Sequence, residues 1–192
     1  MSQRGLGTWL VIVILLAAGV FVLSGLHKAT SSLVLPLSDA SIIREQAAEK
    51  HLDPTLIAAV IYAESKFEPR PSAAGAQGLM QILPATAYYL AHLSGGSRFT
   101  ASDLATPKVN LAYGSYYLRY LLDHYNGNET LAVAAFNAGL TNVDRWVAHA
   151  RAEGEHLTVE AIPFPETREY VRRVLAAQQE YRTTYPRALG LE

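Results

Sequence analysis

The chain has no cysteine. That absence excludes a disulfide framework, a thiolate metal site and a lipid-modified N-terminal cysteine. Its six histidines are scattered, with no HxxxH or HxH pair, so neither a metal nor another cofactor is expected. No run of Lys or Arg exists and the formal net charge is −1, which removes the electrostatic footprint of a nucleic-acid binder. Period-2 alternation of apolar residues is nearly absent too. LTVEAI at 157–162 is the only candidate strand, and no internal repeat is visible.

What the chain has in excess is apolar residues, half of the total against 17 % charged. Part of that excess sits in one block. Trp9 to Leu26 reads WLVIVILLAAGVFVLSGL and contains no charge. As a helix it would be on the order of 27 Å long, close to the hydrocarbon thickness of a bilayer. Residues 1–29 are therefore expected to be a single-pass membrane anchor, with a cleaved signal peptide as the alternative. Residues 30–37 form a short linker, 38–186 one globular domain, and 187–192 a tail.

Within that domain the pattern is helical throughout. Residues 39–50 carry Ile42, Ile43 and Ala47 on one side. Asp53-Pro54 is an N-cap followed by a proline at the first helical position, and that helix is expected to run to about Phe67. Gly78 to Leu93 is expected to be helical with a break or restart at Pro84. Thr106-Pro107 starts a long helix that Gly127 closes. Another ends at Gly139, a short one covers 141–150, and the last runs from Glu166 to about Tyr181. The fold class is mainly α.

At about 100° per residue, Leu56, Ile57, Val60 and Ile61 share one face of the helix after Asp53. Glu64 falls in the middle of that face. A carboxylate there loses hydration, which favours its neutral form and raises its pKa. A protonated carboxyl near neutral pH is what a glycosidase needs to protonate a leaving oxygen. A glutamate paired to an arginine, or exposed at a frayed helix end, would look the same in sequence. After Glu64 the chain reads SKFEPRPSAAGAQGLMQILPATA. Gly75, Ala76 and Gly78 are small enough to admit a ligand close to the backbone. Amides entering the next helix could donate to that ligand.

These segments resemble a known family. E-S-x-F-x-P, the S-x-x-G-A-x-G-L-M-Q-I-x-P-x-T-A stretch, AAFNAGLTNVDRWV and IPFPETREYVRRVL are similar, in that order, to the catalytic domain of soluble lytic transglycosylases. That domain has the lysozyme-like fold of the goose-type lysozyme superfamily. The resemblance spans about residues 40 to 182. It implies that Glu64 is the sole catalytic acid and base. It implies that Ser72 and Gln81 line a sugar-binding groove, with Gly75, Ala76 and Met80 in the same motif. Asn137 matches the asparagine of the A-Y-N-A-G motif, and Glu166 a glutamate that helps shape the groove. Two departures stand out. The segment between Glu64 and Ser72 is one residue short. Phe136 replaces a tyrosine whose hydroxyl would bond the catalytic glutamate, so Glu64 is expected to lack that partner. The eleven tyrosines include Tyr113 and Tyr117 as candidates for sugar contact, while Trp146 suits a core anchor and Glu68 is not expected to be a second catalytic carboxylate.

The resemblance implies cleavage of peptidoglycan glycan strands at the β-1,4 bond between N-acetylmuramic acid and N-acetylglucosamine, closing a 1,6-anhydro ring. Two alternatives stand beside it. One is a lysozyme-type hydrolase using Glu64 with water; the other is a non-catalytic wall-binding scaffold. The expected location is the inner membrane, through residues 9–26, with the domain in the periplasm. A compact anchored enzyme of this kind would suit a secretion, pilus or conjugation apparatus.

Overall fold

Proline sets the helix starts in this chain. In the computed structural model, which describes residues 34–95 and 99–192, a proline occupies the first turn of helices α2 (Pro54–Ser65), α3 (Pro84–Ser94), α4 (Pro107–His124), α7 (Pro165–Thr184) and α8 (Pro186–Leu189). Its missing N–H would have had no intrahelical partner there, and its φ already suits a helix. The remaining helices are α1 (Ala40–Lys50), α5 (Glu129–Ala138) and α6 (Leu140–Ala152), with a 3₁₀ turn at Ala101–Ala105. Side-chain caps close two entries. Asp53 accepts from the Thr55 amide at 2.8 Å, and Asn128 from the Leu131 amide at 3.1 Å.

Helix α2 is the axis of Pro36–Glu192. Every residue from Thr55 to Ile61 is buried, so this helix is covered on all sides rather than along one stripe. Its main neighbour is α7, which presents Tyr170, Val171, Val174 and Tyr181. Helix α5 packs against both α4 and α7, and α1 packs against α4 and α2. Trp146 is buried on α6 with its ring 4.9 Å from Phe164.

Among the described residues there is no β-strand, only an isolated bridge between Gln77 and Ile82. Several expectations need correction. Residues 78–83 are not helical. Gly78 and Gln81 have φ of +76° and +47°, and Pro84 biases Leu83 to extended backbone, so the helix begins only at Pro84. Helix α2 stops at Ser65, because Lys66 and Phe67 both take positive φ. LTVEAI is a turn, held by the Ala161 amide on Thr158 and the Ile162 amide on Val159. Residues 187–192 are not a free tail. Leu189 is buried, and Arg44 of α1 donates to the Ala188 carbonyl at 2.5 Å.

The turn from 66 to 83 is fixed by Asn110 of α4. Its Oδ1 accepts from the Met80 amide at 2.7 Å, and its Nδ2 donates to the carbonyls of Gln77 at 2.8 Å and Leu104 at 3.1 Å. Gly78 lies so close that a Cβ there would sit 2.1 Å from Asn110 Nδ2. The apolar segment 9–26 lies outside the described residues. Among those that are described, no helix is long and apolar enough to cross a membrane.

Candidate active site

Glu64 is the next-to-last residue of α2, where the helix leaves the core and opens on a cleft. The residue keeps partial solvent contact, as a group facing a cleft must. Burial nevertheless pushes its carboxyl up to about 7. Two smaller influences act downward, the Tyr170 hydroxyl and the Arg173 guanidinium. Tyr170 Oη donates to Glu64 Oε1 at 2.7 Å. Its phenol is fully enclosed and titrates well above its ordinary range, so it stays a donor across physiological pH. Arg173, one turn further along α7, stands over the Tyr170 ring at 5.9 Å.

The cleft beside Glu64 has a volume of about 540 Å³ and is lined by Ser65, Lys66, Glu68, Arg70, Ser72 and Gln81 as well as Glu64 itself. Gln81 is shared with an adjoining cleft that holds Phe136, Asn137, Thr86 and Tyr117. Thr86 and Tyr117 in turn belong to a third cleft, walled by Tyr89 and Tyr120. The three clefts adjoin through these shared residues and are together called the groove. A separate cavity lined by Glu49, Lys50, Tyr113 and Tyr116 shares no residue with it. Glu68 faces the same cleft as Glu64 but is exposed and ion-paired to Arg70 at 2.6 Å. No group of His, Asp or Glu among the described residues is clustered to hold a metal ion.

The other expected site residues divide. Ser72 and Gln81 border the Glu64 cleft. Gln81 is held there by Nε2 donating to the Arg70 and Gly78 carbonyls, each at 2.8 Å. Phe136 and Asn137 line the adjoining cleft, and Asn137 Oδ1 accepts from Thr167 at 2.8 Å. Met80 does not face the groove. Its side chain is wholly buried, and a Cβ on Gly114 would sit 2.3 Å from its sulfur, so it packs beneath the groove floor. Gly75 and Ala76 line none of the three clefts. No helix starts behind them, and the Ala76 amide is already used by Ser72 Oγ at 2.9 Å. Glu166 is exposed in the first turn of α7 and lines none of the three clefts either.

Glu64 lacks the hydroxyl that a tyrosine at position 136 would offer, but it is not left without a donor. Phe136 packs its ring against Tyr117, tilted by 42° with centroids 5.4 Å apart, and Tyr170 from a different helix supplies the hydrogen bond. Sequence reading passed over Tyr170 and Arg173. The available signal was a tyrosine on the buried face of α7, alongside Thr167, Val171 and Val174 at helical spacing. Tyr170→Phe should move the Glu64 titration midpoint above about 7, because the lost donor favoured the charged form. Carbon-13 NMR of labelled glutamate checks this; an unchanged midpoint would mean the hydroxyl does not reach the carboxyl in solution.

A helical unit with one desolvated carboxyl beside a cleft is consistent with the lysozyme-like fold that the sequence resemblance implies. The comparisons agree. Residues 41–159 match the family "Transglycosylase SLT domain", and the chain belongs to that family. It is similar to the soluble lytic murein transglycosylase of Escherichia coli K12, with 32 % identity over 150 residues, 77 % of this chain and 23 % of that protein. It is 28 % identical over 163 residues to the membrane-bound lytic murein transglycosylase C of Glaesserella parasuis, covering 73 % of this chain and 45 % of the relative. Among solved structures, an inactive mutant of the lytic transglycosylase Slt from Pseudomonas aeruginosa superposes with a TM-score of 0.71 at 33 % identity, over 78 % of this chain and 24 % of that one. The 70-kDa soluble lytic transglycosylase in complex with bulgecin A gives 0.70 at 32 %, over 78 % and 25 %. The chain thus spans about a quarter of the length of these soluble relatives.

Proposed function

We propose that this chain is a peptidoglycan lytic transglycosylase that cleaves the β-1,4 bond between N-acetylmuramic acid and N-acetylglucosamine, with Glu64 as acid and then base. The observation that carries the reading is the Glu64 carboxyl itself, raised to about 7 by burial and oriented by Tyr170 at the wall of a cleft. Near neutral pH a large fraction of that carboxyl is protonated and can donate to the glycosidic oxygen.

Glycosidases with two carboxylates use the second as nucleophile or base. The other carboxylate bordering this cleft, Glu68, is exposed and paired to Arg70, which favours a scheme with one acid. Glu64 gives its proton to the oxygen leaving the muramoyl C1, and that C–O bond breaks. The substrate's own 2-acetamido group supports the positive charge at C1. Glu64, now a carboxylate held by the Tyr170 hydroxyl and near the Arg173 charge, takes the proton of the C6 hydroxyl as its oxygen bonds to C1. The ring closes, Glu64 is reprotonated and no water is consumed. The names of the relatives, which specify murein, support the substrate.

Digestion of purified sacculi by the full chain, with mass analysis of the fragment ends, tests this. Anhydromuramoyl ends, lighter by one water than hydrolysed ends, are expected. Reducing muramic acid ends would establish a muramidase instead, and intact sacculi a non-catalytic wall binder. The apolar run at 9–26 supports a tether to the inner membrane with the groove in the periplasm. The full-length chain should then resist carbonate extraction from membranes, whereas a protein beginning near Thr30 would show that the run is a removed signal.

A further inference from the structure

Two neighbouring arginines of α7 have different partners. Arg172 is paired to Glu169 at 2.5 Å and to Glu160 at 3.5 Å. Arg173 has no carboxylate partner among the described residues; its guanidinium stands over the Tyr170 ring, 5.9 Å from the centroid. The two residues are three apart and so share a face of the helix. Tyr170 is buried and Arg173 exposed. The hydroxyl at the end of the ring donates to Glu64 Oε1 at 2.7 Å. Cation, ring and carboxyl thus form one chain of contacts. The other ionisable groups bordering the Glu64 cleft are Lys66, Glu68 and Arg70, on the loop after α2, and Glu68 and Arg70 pair with each other. Tyr170 and Arg173 are the two side chains that act on the Glu64 titration.

A cation over the face of a phenol is attracted to the ring and favours negative charge on its oxygen. The O–H becomes a stronger donor. Burial, the Glu64 charge and the hydrogen bond to Glu64 push the Tyr170 phenol up, and the Arg173 charge acts the other way. A stronger donor helps an ionised acceptor more than a neutral one, so the benefit falls on the carboxylate form of Glu64. We propose that Arg173 is a positioning residue, which polarises the Tyr170 phenol through its ring and so tightens the hold of that phenol on Glu64 as a carboxylate. In the proposed reaction this is the base half, after the leaving oxygen has departed and before the C6 proton is taken. That placement rests on the proposed reaction; the effect on Glu64 does not.

Carbon-13 NMR of labelled glutamate in the full chain follows the Glu64 titration, and Glu64→Gln identifies its signal. Arg173→Gln should raise the midpoint above about 7. The proton affinity of Glu64 should rise about two- to fivefold, the size of an exposed cation–π contact. Arg173→Lys, which keeps a cation within reach of the ring, should retain most of the wild-type behaviour. Arg172→Gln removes the same charge one residue away and should leave the midpoint in place. With Tyr170→Phe already present, Arg173→Gln should have less than half its effect, because only the direct field of the guanidinium is left to lose. An unmoved midpoint in Arg173→Gln would overturn the proposal. An equal shift from Arg172→Gln would assign the effect to net charge, and an undiminished shift beside Tyr170→Phe would assign it to the direct field; either overturns it. If sacculi are cleaved, the pH–rate profile of Arg173→Gln should move to higher pH, and a profile that stays in place would overturn the role in the reaction. A midpoint that depends on Arg173 through Tyr170, in a chain that cuts no sacculi, would keep the positioning of Glu64 and reject the proposed reaction.

Discussion

Glu64→Gln should reduce cleavage of sacculi by a factor on the order of 10² or more, the usual cost of losing an acid–base group. The same substitution should not harm the fold, and above neutral pH it should stabilise it. Burial raises the Glu64 carboxyl from 4.5 to about 7 in the folded protein. A carboxyl with a raised folded pKa binds its proton more tightly when folded. Its contribution is fully present below about 4.5 and is lost as pH rises through about 7. At pH 8 the wild type therefore carries a partly buried charge, which costs on the order of 1–3 kcal/mol after allowance for the residue's solvent contact. The amide is neutral at every pH and can still accept from Tyr170. Thermal melts at pH 8 should show the variant more stable than wild type, and melts at pH 4 should show the two alike. A folded variant with most of its activity would remove Glu64 from the mechanism. A gain in stability of equal size at pH 4 and pH 8 would assign it to packing instead of charge.

Asn110→Ala should be the most damaging single change away from the groove. Asn110 is fully buried, and its amide satisfies one backbone N–H and one carbonyl of the 66–83 turn and one carbonyl of the 3₁₀ turn. Each buried polar group left without a partner costs about 1–3 kcal/mol. Water could reach part of the vacated space, so a loss of about 3–5 kcal/mol is expected, read as a lower urea midpoint. The damage should also reach the groove. Gln81, which sits between the first two clefts, belongs to the turn that Asn110 ties to α4. Activity at a temperature where the variant is still folded should fall, while the Glu64 titration stays close to wild type. A change in midpoint under 1 kcal/mol would mean that this turn holds itself.

Phe136 shows how far motif reading carried. The missing hydroxyl in AFNAG was legible, and so was the need of a buried carboxyl for a donor. That the donor comes from residue 170 was not. Tyr170 and Glu64 are 106 positions apart, and no local periodicity relates them. Met80 makes the same point in reverse. Its place in the motif suggested the groove, but the positive φ of Gly78 and Gln81 shapes a turn that sends its side chain inward against Gly114.

The sequence by itself determined the class of the domain, most of the helix starts and the place of Glu64 on an apolar helix face. A proline imposes its φ on one residue and a cap acts within one turn, so Asp53-Pro54, Pro84, Thr106-Pro107 and Asn128 mark helix entries wherever the rest of the chain goes. The position of Glu64 at the end of an apolar helix is likewise a local fact. Tertiary structure decided what surrounds that acid. Packing α2 on α7 brings the Tyr170 hydroxyl and the Arg173 charge to Glu64. Placing α3, α4 and α5 side by side aligns Gln81, Phe136, Tyr117 and Tyr89 into one groove. Desolvation, hydrogen bonding and the shape of a cleft depend on what the folded chain brings within a few ångströms of one another, and that is settled only when the helices pack.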